Sequence, residues 1–107
     1  MKPVVTRHDA DEDTDHIFEY YLGEVGIDTA VAFIDNLEHA YTHISRFPGI
    51  GSDLYGDKFK TPGLRHWWLD RFPFIVIYRE MDTSIEIWRV LHGSMDIPQR
   101  ILDPDDV

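Results

Sequence analysis

Apolar residues recur along the first half of this chain at steps of three and four, and along the second half at alternating positions. The first spacing marks amphipathic helices and the second half-buried strands. A short β-prone run, Pro3-Val4-Val5-Thr6, comes before both, with Pro3 tolerable only at a strand start or edge. From Asp9 the period is helical through Ala10, Thr14, Ile17, Phe18, Tyr21 and Val25. Asp9, Asp11, Glu12 and Asp13 fill its first turn, where the helix dipole favours carboxylates. Gly23 and Gly26 interrupt the period. Asp28 or Thr29 is then expected to cap a second helix that carries Ala30, Phe33, Leu37, Ala40, Tyr41 and Ile44 in one stripe. That helix stops at Phe47, before Pro48-Gly49. So short a link predicts an antiparallel hairpin, whose shared apolar face needs a cover.

Three β-rich runs supply the cover. They span 64–69, 72–79 and 84–91, follow a loop over 49–62, and are joined by connections short enough to require an antiparallel meander. Simple alternation puts Ile85, Ile87, Arg89 and Leu91 on one face of the last strand and Glu86, Trp88, Val90 and His92 on the other. Gly93 ends the strand, and 95–102 is expected to add a helical turn or two. The fold class is therefore α+β: a short N-terminal strand, a helix hairpin and a three-stranded meander packed on the helices. One domain over 1–102 and an acidic tail over 103–107 complete the expected organisation.

Composition narrows the function. At 107 residues with 43% apolar content the chain has enough material for one core and too much for a disordered segment. It has no cysteine, which removes disulfides, thiolate catalysis and cysteine-based zinc sites and favours a reducing cytoplasm. No run approaches the roughly 20 apolar residues of a membrane span. Ten Lys and Arg against 20 Asp and Glu give a net charge of −10, which disfavours nonspecific contact with phosphate backbones, so neither nucleic acid nor membrane is an expected partner. The charge is uneven. Residues 1–57 hold three basic and 12 acidic side chains, 58–102 hold seven and five, and the tail holds three Asp.

Several constellations resolve to ordinary readings. His39 and His43 share a helical face at i, i+4, but without a third ligand or the glutamate of the zinc-protease motif they read as part of a solvated face with Asp35 and Glu38. No metal or other cofactor is expected. Gly49-Ile50-Gly51 follows a helix where no free N-terminal amides are on offer, so it reads as a turn. None of the serines sits in a nucleophile-elbow context. The acidic run at 9–15 reads as an exposed first turn.

The cations of the second half are less ordinary. Lys58, Lys60, Arg65, Arg71, Arg79, Arg89 and His92 suit an anionic partner, or the charge on a phosphodiester under attack. Strand-edge solubility is the competing account for Lys58, Lys60 and Arg71. Arg79 and Arg89 each end an apolar alternation, where a cation needs a carboxylate, a partner or water; Glu80, Glu86 and Asp96 are the carboxylates at hand. Adjacent Trp67 and Trp68 must face opposite ways, so one of them is a candidate interface anchor. His92 beside Arg89 suits a proton carrier.

Set in order, Arg46-Phe47-Pro48-Gly49-Ile50-Gly51, Gly63-Leu64-Arg65, Phe74-Ile75-Val76-Ile77-Tyr78-Arg79 and Ile85-Glu86-Ile87-Trp88-Arg89-Val90-Leu91-His92-Gly93-Ser94-Met95-Asp96 resemble the ParE branch of the RelE/ParE toxin superfamily, over about residues 2–102. The resemblance implies a toxin of a bacterial toxin–antitoxin pair, bound in a hetero-oligomer by a cognate ParD-like antitoxin. It further implies inhibition of DNA gyrase by protein binding, without turnover. Arg65, Trp67, Arg79, Arg89, His92 and Asp96 are then the expected partner-binding residues. Two departures stand out: Met95 replaces an arginine frequent in the family, and Phe74 stands where RNA-cleaving relatives carry one. Lys58 and Lys60 resemble the spaced lysines of those relatives. An endoribonuclease using Lys58, Lys60, Arg65 and His92 is therefore the alternative, and an inactive antitoxin-binding homologue the third.

Overall fold

The computed structural model describes residues 1–58 and 60–94, the side chains of 57 and 58 excepted. The segment expected to add a helical turn, the tail at 103–107 and the candidate Asp96 lie outside the described residues. In chain order the elements are β1 (Val4–Thr6), α1 (His8–Glu24), α2 (Ile27–Arg46), a 3-10 turn (Pro48–Ile50), α3 (Leu54–Lys58), β2 (Leu64–Trp68), β3 (Phe74–Glu80) and β4 (Ile85–His92). This is the α+β arrangement that the periodicity predicts, with three refinements.

The first concerns the hairpin turn. α2 starts at Ile27 with Gly26 as its N-cap, ahead of the Asp28 or Thr29 cap that the sequence suggests. Gly26 has φ of 137°, a conformation that side-chain-bearing residues rarely adopt, so one glycine reverses the chain. Its N–H and that of Val25 both donate to the Tyr21 carbonyl, which closes α1. A longer, capped linker is unnecessary.

The second lies in the expected loop at 49–62, which contains the short helix α3. Tyr55 on α3 packs against Leu64, Ile75, Ile77 and Leu91, the face of the sheet turned away from the hairpin, and Trp88 packs there too. Those four residues are buried by the chain's own side chains. Glycine permits the arrangement, because a Cβ at Gly56 would lie 2.7 Å from the Leu64 carbonyl oxygen.

The third is the phase of β4. The sheet has order β1-β4-β3-β2, with β1 parallel to β4 and the other pairs antiparallel. Ile77 pairs with Arg89 and Tyr78 with Ile87, so Trp88 is an extra residue in a bulge. One inserted residue inverts the alternation. Ile85 and Ile87 therefore share the hairpin-facing core with Val90, while Leu91 joins the opposite cluster. The single-face grouping of Ile85, Ile87, Arg89 and Leu91 does not survive. On the hairpin side, Ala10, Phe33, Leu37 and Ile44 meet Phe74, Val76 and Tyr78, and Phe33 and Phe74 contact edge to face at 5.4 Å.

Candidate functional site

The segment Arg46-Phe47-Pro48-Gly49-Ile50-Gly51 is held by β2 and β3. The Tyr78 hydroxyl, fully buried, donates to the Pro48 carbonyl at 2.8 Å and accepts from the Gly51 N–H at 2.9 Å. Arg65 Nη1 donates to the Gly51 carbonyl at 2.7 Å. A Cβ on Gly51 would sit 2.6 Å from the Tyr78 hydroxyl oxygen, so the close approach requires glycine. Desolvation pushes the Tyr78 pKa up, and the phenol stays neutral. Arg65 thus works as a strut in a motif that the sequence could only read as a turn.

Arg89 is also engaged. Its Nε and Nη2 donate to the two oxygens of Asp13 at 2.8 and 2.9 Å, and the Val90 N–H donates to Asp13 at 3.0 Å. The side chains are 18% and 13% exposed, so the pair is largely desolvated. Asp13 is one of the first-turn acids read as exposed. Burial corrects that reading for this member, and none of the carboxylates proposed for Arg89 is Asp13. Spacing gives the missed signal: Asp13 lies three residues after Ala10 and four before Ile17, on the inward face of α1.

The other candidates separate. Arg89 and His92 line a groove of about 250 Å³ with Asp13, His16 and Phe74. There the His92 ring meets Phe74 at 5.3 Å, and its Nδ1 accepts the Ser94 N–H at 3.1 Å. Trp67 lies on the hairpin side of β2, half-buried, 5.8 Å from the His43 ring. With His43, Arg46, Asn36 and Asp70 it lines a second cleft of about 430 Å³. Asn36 is buried there and its Nδ2 donates to Asp70 Oδ1 at 2.6 Å. Trp68 is the outward member of the tryptophan pair, half exposed with its ring over Gly93. Arg79 is half-buried on the face away from the hairpin, beside Gly63. Lys58 ends α3, and Lys60 follows it, exposed and with φ of 53°. His39 is exposed, and no group of three His, Asp or Glu that could hold a metal ion occurs among the described residues.

Register also separates two of the residues nominated for nuclease chemistry. Arg65 pairs with Tyr78, whereas His92 pairs with Phe74. Four residues along a strand is about 13 Å, and two strand spacings add about 10 Å across the sheet. Arg65 and His92 do not converge on one phosphate.

A family model described as the ParE toxin of the type II toxin–antitoxin system parDE matches residues 4–97. The chain belongs to the ParE toxin family. Membership implies an antitoxin as its partner. Toxin ParE3 of Caulobacter vibrioides is 27% identical over 101 residues, covering 94% of this chain and 96% of that protein. A solved structure titled as the chromosomal ParDE system from P. aeruginosa shares the fold, with a TM-score of 0.72 at 22% identity over 86% of this chain and 96% of that one. The residues matched by the family model run from β1 through β4.

Proposed function

We propose that this ParE-family chain inhibits DNA gyrase by protein binding, in the cytoplasm, and that a cognate ParD-like antitoxin neutralises it by forming a hetero-oligomer. The observation that carries the choice over RNA cleavage is the commitment and dispersal of the cations. Arg65 is tied to Gly51, Arg89 to Asp13, and His92 lies far from Arg65 along the sheet. Phosphoryl transfer needs such groups gathered within a few ångströms of one phosphate. A net charge of −10 further suits a target that is protein.

On this reading Trp67, Arg79, Arg89, His92 and Asp96 form the partner-binding set, with Arg65 supporting the loop beside Trp67. The deciding experiment adds purified protein to gyrase supercoiling and, separately, to ribosomes translating a defined mRNA. Loss of supercoiling with intact mRNA is expected. Cleaved mRNA would instead establish the nuclease, and silence in both assays an inactive homologue.

A further inference from the structure

The hairpin tip carries an apolar face that nothing in the described chain covers. Phe18 and Leu22 stand one turn apart on α1, Ile27 and Val31 stand one turn apart on α2, and the single-glycine turn after Val25 joins the two helices. Phe18 is half-buried at the base, where Ile34 packs into the core, while Leu22, Val25, Ile27 and Val31 are 45%, 61%, 55% and 45% exposed. Large apolar side chains grouped in this way on a surface mark a contact.

Charge identifies the occupant. From His8 to Arg46 the chain has ten Asp and Glu against the single Arg46 at its end, so the hairpin carries −9 of the net charge of −10. Asp15, Glu19, Asp28 and Asp35 are all exposed on it. A second copy meeting this face with its own hairpin would bring the same sign and is repelled, as is an anionic lipid surface. An enzyme that grips DNA must present Lys and Arg to phosphates, and that surface is the complement of this one. We infer that the outer face of the α1–α2 hairpin docks on the cationic, DNA-holding surface of gyrase, with the apolar tip as anchor and the carboxylates standing where phosphates otherwise lie. This rests on the gyrase reading above. It adds a second face to the molecule, separate from the cationic strand residues, which fit a partner of opposite charge.

The test uses two surface variants whose helical content and unfolding temperature are first checked against the parent: V25S/I27S/V31S, and D15N/E19Q/D28N/D35N. Each is titrated into gyrase supercoiling, and binding of the parent protein to gyrase is measured against salt and against a short DNA duplex. The expected results are a loss of potency of about tenfold in each variant, binding that weakens as salt rises, and displacement of the toxin by the duplex. Unchanged potency in both variants, or no competition by DNA while the parent still inhibits, overturns the docking inference and leaves the gyrase reading intact. Failure of the parent itself to inhibit overturns both.

Discussion

Tyr78 shows how much one buried hydroxyl can organise. Replacing it with Phe leaves the Pro48 carbonyl and the Gly51 N–H without their partner in a closed interior, at an expected cost of about 1–3 kcal/mol. Urea unfolding of Tyr78→Phe measures this directly. Arg89→Ala should cost about 3 kcal/mol, because the Asp13 carboxylate stays largely buried without its cation. The double variant D13A/R89A should recover part of that loss, and a denaturation cycle over the four proteins reads the coupling. The ion pair to α1 is the reason for expecting a loss of stability as well as of partner binding. His66 supplies a pH dependence. Burial lowers its pKa below the ordinary 6.5, so the unfolded chain binds the proton more readily than the folded one. Its contribution to stability is present above about pH 6.5 and declines as pH falls below that value. The imidazole should titrate below 6.5 by NMR, and an unshifted midpoint would count against the burial argument.

Among the elements, those with a clean period were legible and those made by one residue's geometry were not. Phe33, Leu37, Ala40 and Ile44 announce α2 because a helix buried on one side repeats every three to four residues. The unbroken apolar run Phe74 to Tyr78 announces β3 differently, as a short strand buried on both faces. The bulge at Trp88 leaves no such trace, since β4 carries apolar residues on both faces and an inserted residue there looks like continued alternation. α3 was hidden because five residues are too few to show a period. Its dependence on Gly56 is testable. Gly56→Ala forces a Cβ against the Leu64 and Thr61 carbonyl oxygens, at 2.7 and 3.0 Å, and should destabilise the protein by about 1–3 kcal/mol. Thermal unfolding checks that outcome. For the candidate site, the cationic residues were visible as types, but their partners were not. Asp13 is 76 residues from Arg89, and contacts at that separation come only from the fold.

Across the whole molecule, charge is sorted between two parts. Nearly all the excess negative charge lies on α1 and α2, so they repel themselves at low ionic strength. Raising salt from about 0.01 M to about 0.1 M shortens the screening length from about 30 Å to about 10 Å, and the unfolding temperature should rise accordingly. A fall would mean that ion pairs such as Lys2 with Glu80 outweigh the repulsion. The sorting also has a practical corollary. Trypsin cuts after Lys and Arg, and between Arg7 and Arg46 it finds neither. A digest therefore releases both helices as one continuous peptide, so any cross-link from a bound protein to this region travels with a single fragment whose mass reports the attachment.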